Sequence, residues 1–283
     1  LFMFLASSGV ELMVDYLWLD TIGYRQVFLT IFGTRLALGL AGFAVAFLWL
    51  WLNLAYALRQ VGDPAQFLPA ELTLTPLGQF LTERLVQRTA FFVSLAIAAL
   101  SGLAFSTGWE KPLLYLNGAP LGQVDPIFGR DAAFYMFTVP FLNQMQSFVW
   151  SVSFFTLLGV GAVYLMRMQA ERNTPSDVIL ALSTFPGRGR VHLGGVGAFL
   201  LVVMAVGLYL DRFEELHRAG GLFTGPGYSD IHGTLPVLAL KSVTALVGAG
   251  VVVYALWREQ YRMLIGVAGL FIVVWVGGSA YGS

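Results

Sequence analysis

Seven apolar stretches of the chain predict helices that cross a bilayer. A spanning helix needs about 20 apolar residues. The first stretch is a partial span, and the other six approach full length. The predicted spans are residues 1–14, 36–58, 90–108, 141–166, 193–210, 235–257 and 263–280. This pattern predicts an all-α, polytopic transmembrane helix bundle that forms a single domain over residues 1–283.

Polar and aromatic residues fill several connections between these spans. Residues 15–32 mix Asp15, Asp20 and Arg25 with five aromatic side chains, which is typical of a helix or lip at headgroup depth. We therefore expect interfacial helices and structured extracytoplasmic loops around the bundle. Within the fourth span, Asn143 and Gln146 share one helix face, which favours hydrogen bonds between helices, with a pore lining as the alternative.

Composition supports a membrane protein and excludes several kinds of chemistry. The chain is 57% hydrophobic and 11% charged, whereas soluble domains are about 25% charged. Sixteen basic and sixteen acidic residues leave no net charge and form no basic stripe, so nucleic acid is not an expected partner. The absence of cysteine excludes disulfides, thiol catalysis and iron–sulfur clusters. No nucleotide-binding or hydrolase motif is present, and no cofactor is predicted.

The distribution of charge predicts an orientation. The connections after the first, third and fifth spans, with the flanking helix ends, carry seven of the sixteen basic residues, and the remaining connections carry nine. Because cytoplasmic loops are richer in Lys and Arg, the second set is expected to be cytoplasmic. The N-terminus is then cytoplasmic and the C-terminus extracytoplasmic, and the lipid bilayer is the first expected partner.

Three strings in the predicted outer connections carry a resemblance to a known family. They are residues 15–28, residues 125–141, and residues 209–215 together with 227–232. In order and in helix spacing, they resemble the uncharacterised protein family UPF0182. The resemblance implies a prokaryotic cell membrane and seven helices followed by a large extracytoplasmic domain, and it supplies no catalytic residues. We therefore expect the chain to be part of a longer protein, with residues before Leu1 and after Ser283.

The connection after the fifth span holds a cluster of polar side chains. Carboxylate and imidazole groups can bind a divalent metal, and the candidate ligands are Asp211, His217, Asp230 and His232. An Asp-x-His pair on an extended segment would present both side chains on one face. The alternative interpretation is an ion-pair network that holds this connection over the bundle.

Two further groups of charged residues are candidates for a functional role. Asp125, Arg130 and Asp131 lie at a predicted turn, where Arg130 is expected in a buried salt bridge or, alternatively, on a lipid phosphate. Lys241 lies about 9 Å into the sixth span, so it is expected to reach the interface or pair with an acidic residue, with a functional intramembrane charge as the alternative. The outer residues expected to face a partner or lipid are Asp15, Trp18, Asp20, Tyr24, Arg25, Asp125, Arg130, Asp131 and Arg212.

The predicted function is non-catalytic. Motifs concentrate on one face while the spans carry little polarity, which favours a scaffold or accessory subunit that docks a protein partner, or its own further domain, on the extracytoplasmic side. A transporter or channel is an alternative, and it predicts a polar path that links Lys241 with the Asn143 face. A metal-dependent envelope enzyme using the four candidate ligands is a second alternative.

Overall fold

The computed structural model describes residues 2–61, 83–170, 187–217, 219–220 and 223–282, and these residues are almost entirely helical. Within them, the α-helices are α1 Phe2–Thr21, α2 Arg25–Val61, α3 Glu83–Ser106, α4 Glu110–Asn117, α5 Val139–Ala170, α6 Gly187–Glu214, α7 Leu235–Trp257 and α8 Arg262–Gly282. The shorter elements are the π-helical turns Phe134–Thr138 and Asp230–Thr234, the 3-10 turn Glu215–His217, and the antiparallel strand pair β1 Ala219–Gly220 and β2 Phe223–Thr224. The all-α class is confirmed.

Five described helices are long and apolar enough to cross a membrane, which indicates a membrane protein. Their bounds are Arg25–Val61, Leu85–Ser106, Phe134–Leu165, Gly187–Glu214 and Asp230–Trp257. They match the second to sixth predicted spans. The last predicted span coincides with α8, whose apolar part, Arg262–Gly278, is shorter than these five. The first and the last of the seven predicted spans are therefore still predictions.

The connection between α1 and α2 differs from the expected interfacial lip. Residues 15–21 complete α1, and residues 25–35 are the first turns of α2, so only three residues separate the two helices. Gly23 makes this tight turn possible with φ +82°, a conformation that costs glycine little. Because α2 has 37 residues and a span needs about 20, the aromatic segment is accommodated as a helical extension rather than as a separate element.

The connecting elements gather at one end of the bundle, here called the loop end, where α3 and α6 finish and α4, α5 and α7 begin. The α1–α2 turn belongs to the same end, because the guanidinium of Arg35 in α2 lies 5.4 Å from the ring centre of Trp109, just before α4. The opposite end is formed by the ends of α2, α5 and α7 and by the starts of α6 and α8.

The closest helix packing is between α2 and α3. An ideal Cβ built on Gly102 of α3 would lie 2.6 Å from the carbonyl oxygen of Gly39 in α2, a distance that no real side chain tolerates. Glycine at this position therefore allows the two backbones to meet, as small residues do in membrane bundles. A neighbouring core cluster of Leu50, Ala98 and Val152 joins this pair to α5.

Two glutamine amides attach α5 to the helices on either side of it. Gln144 donates from Nε2 to the carbonyl of Phe105 in α3 at 2.9 Å, and Gln146 donates to the carbonyl of Val203 in α6 at 3.2 Å. The Gln144 amide packs against Gly108, which follows α3, and the Gln146 amide packs against Gly207 in α6. A Cβ at either glycine would clash with the amide. The interhelical role predicted for this polar stretch of α5 is confirmed for Gln146.

Three buried hydroxyl groups of α3 and α5 bond within their own helices, whereas the buried hydroxyl of Ser242 in α7 donates to the carbonyl of Ala205 in α6 at 2.8 Å. Ser94, Ser153 and Thr156 are each about fully buried, with at most 1% exposure. Each donates to the carbonyl four residues earlier in its own helix, at 2.6 to 2.8 Å. Apolar contacts and close glycine packing therefore hold this part of the bundle together.

Candidate functional site

Asp125 organises a tight turn in the connection between α4 and α5. Its carboxylate accepts hydrogen bonds from the backbone N–H groups of Ile127 and Phe128, at 3.1 and 2.6 Å. The hydroxyl of Tyr135 also donates to it, at 2.9 Å. Gly129 closes the turn with φ +65° and donates from its N–H to the carbonyl of Asp125 at 3.0 Å. The turn predicted at Asp125 is therefore present, and its carboxylate serves as an internal acceptor.

Asp131 fixes the other side of the same connection. Its carboxylate accepts hydrogen bonds from the N–H groups of Leu121, Gly122 and Ala133, at 3.0, 2.8 and 2.8 Å. These bonds favour the ionised form and lower the pKa of Asp131, with the Leu121 bond contributing most. Two carboxylates thus order a connection that has little regular secondary structure.

We expect this connection to loosen when Asp131 is protonated. Its pKa is lowered in the folded state, so the three hydrogen bonds to its carboxylate are complete above the ordinary value of 3.8. They are lost as the pH falls through the lowered pKa. Amide protection at Leu121 and Gly122, measured by hydrogen exchange and corrected for intrinsic rates, should fall as the pH drops below 3.8. Asp131→Asn should show low protection at every pH. Equal protection of both proteins at neutral pH would contradict this role.

An aromatic cluster attaches the connection to the end of α6. Phe213 is buried, and its ring centre lies 5.0 Å from Phe128, 5.1 Å from Phe134 and 6.2 Å from Tyr135, all in edge-on geometry. Such pairs add to the effect of apolar burial. The connection is therefore docked on α6 and fixed by its own carboxylates.

The two arginines predicted at this site lie against aromatic rings. The exposed Arg130 lies 5.5 Å from the ring centre of Phe134, so the expected buried salt bridge is wrong. Arg212 lies 5.5 Å from the ring of Phe128 and 5.6 Å from that of Tyr209. Arginine favours such positions because its guanidinium stacks on ring faces. Both cations stabilise the aromatic cluster from its rim.

We call residues 118–138 with residues 209–216 the platform. The aromatic cluster is its buried part, and several of its apolar side chains are exposed, among them Leu121, Val124 and Ile127. Leu121 is 49% exposed, Val124 66% and Ile127 37%. Asn143 at the start of α5 donates a hydrogen bond to Glu214, which ties the platform to the bundle on a further side. An ordered segment with exposed apolar side chains is a candidate contact surface.

The first predicted string lies at the α1–α2 turn, apart from the platform. Asp15, Trp18, Asp20, Tyr24 and Arg25 are all exposed there. The guanidinium of Arg25 stacks near the ring of a neighbouring α1 tyrosine at 5.8 Å. Among the described elements, α1 packs chiefly on α2. Their contact with a partner or with lipid is still a prediction.

The Asp-x-His pair does not lie on the extended segment that was expected. Asp230 and His232 belong to a π-helical turn, in which side chains two residues apart point to nearly opposite sides. The Asp230 carboxylate accepts from the N–H of Gly227 at 2.7 Å. His232 stacks on Tyr228 with ring centres 4.1 Å apart. The shared face inferred from the sequence spacing is therefore wrong.

The other two candidate metal ligands lie before this turn. Asp211 is in the last turn of α6, and His217 ends the 3-10 turn that follows it, where its side chain is outside the described part of the structure. No group of three or more carboxylate and imidazole side chains that could hold a metal ion occurs among the described residues. A site that includes His217 is still a prediction.

Lys241 lies in α7 with its charge directed at α8. Its Nζ atom is 5.6 Å from the ring centre of Trp275, and its stem passes Gly278, where an added Cβ would lie 3.4 Å from Cε. No acidic partner lies within ion-pair distance of Lys241 in the described ranges. A cation–π contact, which sequence spacing does not reveal, therefore takes the place of the expected ion pair.

A polar network at the opposite end was not predicted. His192 in α6 lies 3.0 Å from the hydroxyl of the buried Tyr164 in α5, and 3.0 Å from Oδ1 of Asn53 in α2. The Asn53 amide nitrogen donates to the carbonyl of Trp49 at 2.7 Å. Its oxygen therefore accepts from Nε2–H of His192, and the Tyr164 hydroxyl lies within hydrogen-bond distance of Nδ1. One imidazole thus joins three helices.

A second unpredicted contact closes the same end. Arg190, 8% exposed, forms a salt bridge of 2.7 Å with Glu259 and donates a hydrogen bond to the hydroxyl of Tyr261. Glu259 adopts φ +60° in the connection between α7 and α8. The first turn of α6 is thereby attached to that connection. In the sequence, Arg190 is recognisable only as a basic residue of the connection before the fifth predicted span.

Comparison with known proteins identifies relatives of the whole chain. The model of an uncharacterised protein family, UPF0182, matches residues 1–283. A UPF0182 protein of Salinibacter ruber is 34% identical over 94% of this chain and 28% of its own length. One of Geobacter sulfurreducens is 28% identical over 92% of the chain and 29% of its length. One of Clavibacter michiganensis is 31% identical over 94% of the chain and 26% of its length.

The chain therefore spans less than a third of the length of these relatives. No solved structure matches it. The family model covers every residue, including the three strings on which the resemblance rested, and so confirms that interpretation. The chain belongs to the uncharacterised protein family UPF0182.

Proposed function

We propose that this chain is a membrane-embedded scaffold whose platform docks a protein surface on the extracytoplasmic side of a prokaryotic cell membrane. One observation carries the proposal. The connection between α4 and α5 is fixed internally by Asp125, Asp131 and the Phe213 cluster, yet it exposes Leu121, Val124 and Ile127. Apolar side chains on a rigid support suit binding, because little conformational freedom is lost on association.

The relatives suggest what could occupy this surface. More than two thirds of the length of each cited relative lies outside the region that this chain matches. A domain of that size beside the bundle would need an attachment point. We therefore propose the relatives' further residues, or an equivalent separate subunit, as the occupant of the platform.

The packing inside the bundle favours a scaffold over a transporter. A transport path would need polar groups that link Lys241 with Asn143, but Lys241 contacts Trp275 and Asn143 contacts Glu214. The buried hydroxyls of Ser94, Ser153 and Thr156 bond within their own helices. The metal-dependent enzyme gains no support from Asp230 and His232, which engage local groups.

Photo-crosslinking in native membranes tests the docking proposal. A photoreactive amino acid at Val124 should form crosslinks to polypeptide, which mass spectrometry of the adduct can assign to a partner or to another part of the same protein. The matched control is Leu158, which is 53% exposed on the membrane-spanning part of α5 and should crosslink to lipid alone. Lipid adducts alone at Val124 would place the platform against headgroups and overturn the proposal.

A further inference from the structure

A groove between α3 and α5 opens on the outer surface of the bundle. It encloses a volume of about 530 Å³, within the size range of small-molecule sites. Apolar side chains line one part of it, including Ile97, Leu100 and Phe155. Lys111 and Gln144 line the part at the loop end. We call this feature the α3–α5 groove.

The groove exists because α3 packs mainly on α2 and touches α5 much less. At the loop end, Gly108 leaves room for the Gln144 amide of α5 to reach the carbonyl of Phe105 in α3. Leu100 is 68% exposed at the mouth of the groove.

Two polar groups of the groove, Oε1 of Gln144 and the Lys111 ammonium, have no hydrogen-bond or ion-pair partner among the described residues. Oε1 of Gln144 is buried and receives no hydrogen bond from any described residue. The amide orientation is set by the donation from Nε2 to Phe105, so Oε1 requires a donor from elsewhere. Lys111 is half-buried in the first turn of α4 and has no carboxylate within ion-pair distance in the part of the chain described. A buried acceptor without a donor is costly.

The length of the groove corresponds to one bilayer leaflet. Gln144 and Phe155 are eleven residues apart on α5, which is about 16 Å at the helical rise. The hydrocarbon core of a bilayer is about 30 Å thick. A ligand with its polar group at Lys111 and its apolar part along Leu100 and Phe155 would thus extend across the hydrocarbon thickness of one leaflet.

We propose that the α3–α5 groove binds one glycerophospholipid from the leaflet at the loop end. Its phosphate pairs with the Lys111 ammonium, and a hydroxyl or ammonium of the headgroup donates to Oε1 of Gln144. One acyl chain lies along Ile97, Leu100 and Phe155. Phosphatidylglycerol and phosphatidylethanolamine carry such a donor, whereas phosphatidylcholine does not. This site is independent of the docking platform.

Native mass spectrometry of the purified chain tests the site with three probes. Dioleoyl phosphatidylglycerol and dioleoyl phosphatidylethanolamine should each give a one-to-one adduct, with dioleoyl phosphatidylcholine bound several-fold more weakly. Lys111→Gln should weaken phosphatidylglycerol binding about tenfold, since it removes a charge-assisted contact. Arg258→Gln, which removes an exposed cation at the opposite end and outside the groove, should leave binding unchanged.

A second pair of variants tests the apolar part without disturbing the core. Leu100 lines the groove, whereas Leu103 on the same helix is 66% exposed and does not line it. Leu100→Trp should fill the groove and remove the adduct, and Leu103→Trp should retain it. Equal adducts in both tryptophan variants, equal binding of all three lipids, or unchanged binding in Lys111→Gln would each overturn the proposal.

Discussion

Replacing Phe213 by alanine is expected to release the platform from α6. Phe213 is 7% exposed and meets Phe128, Phe134 and Tyr135, so its loss leaves a cavity shared by both sides of the contact. Removal of a buried phenylalanine costs about 3 kcal/mol or more. Unfolding of the purified protein in mixed micelles should show this loss of free energy, and the Leu121 amide should exchange faster.

The matched control for this variant is Phe92→Ala. Phe92 is 62% exposed on α3, so its removal should cost less than about 1 kcal/mol and leave exchange at Leu121 unchanged. If Phe213→Ala is destabilised while Leu121 keeps its protection, the platform is held by its carboxylates alone. The aromatic attachment to α6 would then be wrong.

Gly102→Ala is expected to weaken the α2–α3 pair although alanine is the better helix former. Helix propensity favours alanine over glycine by about 1 kcal/mol. The added Cβ would lie 2.6 Å from the Gly39 carbonyl and 2.9 Å from the Phe43 nitrogen, so the backbones must separate, at a cost of about 1–3 kcal/mol beyond the propensity gain. Unfolding in mixed micelles measures the net destabilisation.

Gly250→Ala serves as the control for Gly102→Ala. A Cβ at Gly250, within α7, would meet no atom within 4 Å. That variant should therefore be neutral or up to about 1 kcal/mol more stable. If both alanine variants gain stability, the close approach of α2 and α3 does not restrict residue 102, and the packing described for this pair is contradicted.

The five central helices could be predicted because each presents an uninterrupted apolar stretch near the length of a span. The α1–α2 turn could not, since charges and aromatics over residues 15–32 are equally compatible with an interfacial lip and with a helical hairpin. The difference depends on one residue, Gly23, whose positive φ reverses the chain within three residues. Composition over a long window does not detect such a local event.

The platform was predictable only in its local parts. Asp125 and Asp131 could be identified because their hydrogen bonds are made within ten residues of the chain. Phe213 could not, because nothing in the sequence relates it to Phe128, to which it is joined only by tertiary packing. The same reason explains the missed network in which His192 contacts Asn53 across the bundle.

Accessibility of single cysteines tests most directly the claim that the loop end and the opposite end lie on different sides of the membrane. The chain contains no cysteine, so each introduced thiol reports alone. Ser229 lies before α7 at the loop end, and Gln260 follows α7 at the opposite end; both are exposed. A membrane-impermeant maleimide added to intact cells should label Ser229→Cys, and should label Gln260→Cys only after permeabilisation. Labelling of Gln260→Cys in intact cells, alone or together with Ser229→Cys, would contradict the proposed orientation.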